Sequence, residues 1–103
     1  MAKTRKLELS AAADRDLEAI YKYGFEHWGE AQADAYFAGL IRHFDKLCEN
    51  PLLYAPIDDI RAGYRRSVCG VHSVYYRVTD GTVQIMAIIG RQDFRGRFES
   101  EDY

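Results

Sequence analysis

Between residues 61 and 97 the chain carries seven arginines, Arg61, Arg65, Arg66, Arg77, Arg91, Arg95 and Arg97, against two acids, Asp80 and Asp93. No lysine follows Lys46. A guanidinium pairs bidentately with carboxylate or phosphate, so this half of the chain is expected to meet an acidic partner. Tyr64, Tyr75, Phe94 and Phe98 lie among these arginines. Cations beside aromatic platforms can hold RNA and place a scissile phosphate without a metal. The same set suits an acidic protein segment, or a solvated strand face followed by a tail. Composition leaves the three open.

Other chemistry has weaker support. Cys48 continues an apolar helical stripe and reads as a small buried hydrophobe. Cys69 lies in a turn with no base beside it. Asp58-Asp59 is a loop pair that suits a turn. No Cys/His spacing matches zinc, and no glycine-rich phosphate cradle follows a strand. His27 and His43 fall on helices. His72 opens a central strand and reads as a hydrogen-bonded structural histidine. No metal site, cofactor or catalytic residue is therefore expected.

These residues need elements to hold them. The 103 residues suffice for one domain spanning 1–103. Its 48% apolar and 14% aromatic content supports a single core. Two cysteines make no disulfide framework, and the basic start lacks the apolar run of a signal peptide. No apolar stretch reaches membrane-spanning length. A cytoplasmic protein without membrane contact is expected. The net charge of -2 hides an asymmetry. Residues 10 to 50 hold eight acids against four bases, opposite in sign to the arginine-rich half.

Residues 3 to 9 form a candidate strand, with Leu7 and Leu9 on one face and Lys6 and Glu8 on the other. Ser10 suits a helix N-cap. Ala13, Leu17, Ile20, Tyr21, Gly24, Phe25 and Trp28 follow at helical spacing. Gly29 interrupts them. A second stripe runs through Ala33, Tyr36, Phe37, Leu40, Ile41, Phe44, Leu47 and Cys48 until Asn50-Pro51 ends it. So short a joint predicts an antiparallel helical hairpin, and its apolar faces need a sheet.

Residues 51 to 63 read as a loop, followed by three antiparallel strands. Asp80-Gly81 between two β-rich runs is a strong hairpin signal. A two-residue loop sets Val78 against Val83, Tyr76 against Ile85, Val74 against Ala87 and His72 against Ile89 on an apolar face. The other face then carries Arg77 with Gln84, Tyr75 with Met86 and Ser73 with Ile88. Its half-apolar character fits either a partner surface or a few singly exposed residues. The turn near Cys69-Gly70 has two possible registers, which differ in whether Arg65 or Arg66 faces outward. Residues 96–103 read as a flexible tail. The fold class is α+β: a strand, a helical hairpin, and a three-stranded antiparallel sheet.

Several short pieces in order resemble the ParE family of toxins within the RelE/ParE group. They are Leu9-Ser10 with Ala12, Asp16-Leu17 and Ile20; Trp28-Gly29 with Ala31 and Ala33; and Glu49-Asn50-Pro51. Then come Ile60-Arg61, Gly63-Tyr64-Arg65-Arg66, Gly70, His72 and Tyr75-Tyr76-Arg77-Val78. At Ser67 to Cys69 the chain departs from the family's more aliphatic run. The resemblance implies a toxin of a type II toxin-antitoxin module, neutralised by a ParD-like antitoxin and reaching DNA only through it. It further implies a ParE-like inhibitor of DNA gyrase with no catalytic step. RelE-like members instead cut messenger RNA on the ribosome, using lysines and often a late histidine or tyrosine. This chain has no lysine after residue 46, and its only tyrosine after Gly90 is Tyr103. Target contacts are then expected from Arg61, Arg77, Arg91, Gln92, Asp93, Phe94 and Arg95. Antitoxin contacts are expected from the outer groove of the helical hairpin and from Tyr64, Arg65, Arg66, Tyr75, Met86 and Ile88. The alternatives are a RelE-like ribonuclease using Arg61, Arg65, Arg77 and His72, and a non-toxic co-repressor.

Overall fold

The structure is a computed structural model that describes residues 5–90. A strand, β1 (Lys6–Leu9), leads into α1 (Ala11–Trp28) and α2 (Glu30–Glu49). A single 3-10 turn over Pro51–Leu53 precedes β2 (Ala55–Pro56), β3 (Arg65–Cys69), β4 (His72–Thr79) and β5 (Thr82–Gly90). The strands form one mixed sheet in the order β1-β5-β4-β3-β2. β1 runs parallel to β5, and every other pairing is antiparallel. The sheet is thus wider than expected: the N-terminal strand joins it, and two residues of the 51–63 loop extend its far edge.

Local chemistry sets the element ends. Ser10 caps α1, its Oγ accepting from Ala13 N–H at 3.0 Å. Gly29 ends α1 and starts α2 at φ +91°, a conformation costly for residues with a Cβ. With one residue between them, the helices fold back antiparallel. They approach closely where a Cβ on Gly24 would stand 3.4 Å from the Ala33 Cβ. The Asp80-Gly81 hairpin has the expected two-residue loop, with both residues at positive φ.

The main core lies between hairpin and sheet. Leu17, Leu40, Phe44 and Leu47 pack on Val74, Tyr76, Val83, Ile85 and Ile88. The Tyr76 hydroxyl reaches across it to donate to the Pro51 carbonyl at 2.5 Å, and burial pushes its pKa up to about 12.

The hairpin register follows the expected pairing from Thr79–Thr82 to Tyr76–Ile85, then slips. Met86 is an extra residue: Tyr76 pairs with Ile85, but Tyr75 pairs with Ala87. Beyond the bulge, Val74 faces Ile88 and Ser73 faces Ile89, correcting the Val74–Ala87, His72–Ile89, Tyr75–Met86 and Ser73–Ile88 pairs. α1 serves the two polar groups at the bulge. Ser10 Oγ donates to the Met86 carbonyl at 2.9 Å, and Asp16 Oδ2 accepts from Ile88 N–H at 2.9 Å. A helix cap and the next turn of the same helix therefore hold the irregularity in place.

Candidate functional site

The far face of the sheet, opposite the helices, is not open. Ile57, Tyr64, Tyr75, Ala87 and Ile89 form a second small core there, with Met86 against it. Tyr64 is 3% exposed and Tyr75 fully buried. The 57–64 segment folds over this face. Ile57 N–H donates to the Tyr64 carbonyl at 2.9 Å, and Asp58 Oδ1 accepts from Gly63 N–H at 2.8 Å. The expected open apolar patch is therefore corrected: the β2–β3 connection covers it. Ile88, moved by the bulge, lies on the helix side at 3% exposure.

The arginines divide between the two faces. Cys69 pairs with His72 around a two-residue turn, which settles the β3 register. Arg65 then shares the helix-side row with Tyr76, and its Nη1 donates to the Tyr54 carbonyl at 2.6 Å. Arg66 is exposed on the far face, opposite Tyr75. Arg77 lies on the far face in a polar row across three strands. Its Nε donates to Gln84 Oε1 at 2.6 Å, and Gln84 Nε2 donates to Glu8 Oε1 at 3.0 Å. Arg61 sits over the Tyr64 ring, 5.7 Å from its centroid. Arg61, Arg66 and Arg77 thus belong to one side and Arg65 to the other. Arg91, Gln92, Asp93, Phe94 and Arg95, and the tail at 96–103, lie outside the described residues.

His72 is a structural residue. Its Nδ1 stands 2.7 Å from the Tyr36 hydroxyl. That hydroxyl also lies 3.2 Å from the Cys69 carbonyl and accepts from Val71 N–H at 3.2 Å. One tyrosine of α2 so ties down the β3–β4 turn. His43 Nε2 lies 2.6 Å from Ser67 Oγ, a second tie between α2 and β3. Burial pushes both histidine pKa values down, with Lys46 adding to the effect at His43 and Asp16 opposing it at His72. Cys48 belongs to the main core, and burial pushes both thiols up, away from thiolate chemistry.

A depressed histidine pKa means that the unfolded chain binds more protons below pH ~6.5. Stability is therefore fully present above that pH and is lost as pH falls from there through the lower folded-state value. Thermal melts at pH 7.5 and 5.5 are expected to show a lower Tm at pH 5.5, with the difference reduced in His43→Gln. An unchanged gap in that variant would remove His43 from this account.

Two apolar hollows flank α1. A cleft of about 840 Å³ opens where the hairpin overhangs the end of the sheet, between Ile20, Tyr23, Gly24, Trp28, Tyr36 and Val71. Trp28 is 60% exposed at its mouth. Phe25 and Trp28 continue the apolar stripe of α1, an 18-residue helix about 27 Å long, yet both stay exposed near its C-terminal end. An outer groove of about 520 Å³ lies between the helices, lined by Asp14, Leu17, Glu18, Tyr21, Asp34 and Phe37. Periodicity located both hollows only as helix faces; which turns stay uncovered depends on where the sheet stops. No helix of the described residues is long and apolar enough to cross a membrane.

A strand, a helical hairpin packed on one side of a sheet and a short-turned β-meander define the RelE/ParE-like fold of type II toxins. A chain of the chromosomal ParDE toxin-antitoxin system from P. aeruginosa superposes with a TM-score of 0.74 at 21% identity, over 84% of this chain and 96% of that one. A chain of the RelBE2 toxin-antitoxin complex from Mycobacterium tuberculosis superposes at 0.66 with 22% identity, over 86% and 100%. The family described as "ParE toxin of type II toxin-antitoxin system, parDE" matches residues 7–93. Toxin ParE1 of M. tuberculosis H37Rv is 37% identical over 82 residues, 79% of this chain and 84% of that protein. Toxin ParE1 of Caulobacter vibrioides is 40% identical over 70 residues, 68% and 73% respectively. The chain belongs to the ParE toxin family.

Proposed function

We propose that this toxin acts in the cytoplasm as a non-catalytic inhibitor of DNA gyrase, held in check by a ParD-like antitoxin through which alone it reaches DNA. The observation that carries the non-catalytic reading is the division of the basic residues. A ribonuclease site would need Arg61, Arg65, Arg77 and His72 to converge on one phosphate. Arg65 and His72 are instead committed to hydrogen bonds on the helix side, while Arg61 and Arg77 sit on the far side. Geometry of this kind favours gripping a macromolecular surface. Arg61 and Arg77, with the segment Arg91 to Arg95, are the proposed target contacts.

The antitoxin surface proposed here shifts with the burial found. Tyr64, Tyr75 and Ile88 are occupied within the chain, Arg65 is tied to Tyr54 and Met86 packs on the far core, so Arg66 alone of the six offers an exposed side chain. The outer groove and the overhang cleft supply the apolar area that an antitoxin segment needs.

With purified gyrase, roughly tenfold molar excess of toxin is expected to abolish supercoiling, and Arg77→Ala to weaken inhibition about tenfold by losing a charge-assisted contact. Messenger RNA should remain intact after induction. Undiminished supercoiling together with cleaved transcripts would reverse the assignment.

A further inference from the structure

Arg77, Gln84 and Glu8 form a row across β4, β5 and β1 on the face away from the helices. Arg77 Nε donates to Gln84 Oε1 at 2.6 Å, and Gln84 Nε2 donates to Glu8 Oε1 at 3.0 Å. The chemistry of the end groups sets the direction of the row. A carboxylate only accepts and a guanidinium only donates. One amide orientation serves both, with the Gln84 nitrogen toward Glu8 and its oxygen toward Arg77. Glu8 thereby orients Gln84, and Gln84 orients Arg77.

Polar rows across strands are ordinarily surface pairs that add a little stability. This row differs in the nitrogen it uses. The bond falls on Nε, the inner nitrogen of the guanidinium, and among the described residues nothing pairs with Nη1 or Nη2. The partner is also a neutral amide, so no ion pair among the described residues compensates the arginine charge. Arg77 and Gln84 are half-buried. What remains is a held guanidinium with two parallel N–H bonds at its outer end, the fork that matches the two oxygens of a carboxylate.

The surroundings favour a carboxylate over a nucleic-acid backbone. Nearby charges have mixed sign: Lys6 and Glu8 on β1, Asp58, Asp59 and Arg61 in the 57–64 connection, and Arg66 on β3. Nucleic acid binds through a succession of phosphates met by cations. Such a track laid across these strands through Arg77 would run toward Glu8 on one side and toward Asp58 and Asp59 on the other. A single carboxylate needs only the fork.

We propose that the Nη end of Arg77 receives a carboxylate side chain of the target protein, and that Gln84 and Glu8 are positioning residues for it. This rests on the reading of Arg77 as a target contact and names the group it contacts.

The probe is a short, labelled, extended peptide that alternates threonine with glutamate. Controls are its glutamine counterpart and a single-stranded oligonucleotide. Fluorescence anisotropy with the full chain should show binding of the glutamate peptide only. Arg77→Lys keeps the charge but loses both Nε and the fork, so its Kd should rise about tenfold. Gln84→Met should raise the Kd about fivefold by releasing the guanidinium, and Glu8→Gln about threefold by freeing the amide to turn. Added to Arg77→Lys, Gln84→Met should cause no further loss, because it acts only through Arg77. The Tm of Gln84→Met should stay within a few degrees of the parent. Full binding by Arg77→Lys, an additive double variant, a Tm collapse that accounts for the lost binding, or equal oligonucleotide binding overturns the proposal.

The same variants in the gyrase supercoiling assay separate this site from the target reading. Gln84→Met and Arg77→Lys should weaken inhibition in step with peptide affinity. Inhibition unchanged in both overturns the carboxylate site and leaves gyrase as the target. No inhibition by the unmodified chain, with peptide binding still following the row, removes gyrase and supports the site.

Discussion

Tyr75→Ala is expected to cost about 3–5 kcal/mol, the range for deleting a fully buried aromatic ring. Tyr75 has no exposed surface and is the centre of the far-face core, among Ile57, Tyr64, Ala87 and Ile89. Its removal would leave a cavity whose walls come from two separate places: the 57–64 connection and β5. A domain of this size holds on the order of 5–15 kcal/mol in total, so the variant should melt far below the unmodified chain or fail to fold. Tyr75→Phe keeps the ring and should stay within about 1.5 kcal/mol. The alternative is that Tyr75 is an interface residue, in which case alanine would leave the isolated toxin stable and weaken only partner binding. Thermal denaturation of the toxin alone separates the two. A Tm for Tyr75→Ala within a few degrees of the parent would show that the second core contributes little.

Gly70→Ala should cost about 4–5 kcal/mol, although it adds a single methyl group. Gly70 sits at φ +60°, where an L side chain is disfavoured by roughly 1–2 kcal/mol. Its Cβ would also stand 2.7 Å from the Tyr36 hydroxyl and 2.8 Å from Tyr36 Cε1. Tyr36 would have to withdraw, giving up its hydrogen bonds at Cys69, Val71 and His72, each worth about 1 kcal/mol net. The β3–β4 turn would then lose its tie to α2. Because both losses run through one side chain, Gly70→Ala and Tyr36→Phe should be strongly non-additive. A double variant whose cost equals the sum of the two single costs would disprove this coupling.

Much of the architecture was legible because its determinants are local. Ser10, Gly29, Asn50-Pro51 and Asp80-Gly81 each act within a turn or less of chain, and the elements begin and end where they stand. The helical stripes were readable for the same reason: 3.6-residue periodicity is imposed by every core they could face. Over the run Ile85-Met86-Ala87-Ile88-Ile89 that advantage disappears. All five residues are apolar, so no polar residue marks the outward face, and a one-residue slip leaves no trace in the pattern. The β2 pairing was missed because two residues, one a proline, carry too little strand signal.

The chain's own letters determined the family, the capped helical hairpin, the tight β-hairpin and the opposed charge of its two halves, since each depends on residue identity at short range. Tertiary structure alone decided that Met86 bulges, that residues 57–64 cover the far face, and which of Arg65 and Arg66 faces outward. These depend on which surfaces compete for one another in three dimensions. Ser10 and Asp16 stabilise the bulge from 76 and 72 residues away, respectively. A reading along the chain cannot register such a contact until the fold has brought its two ends together.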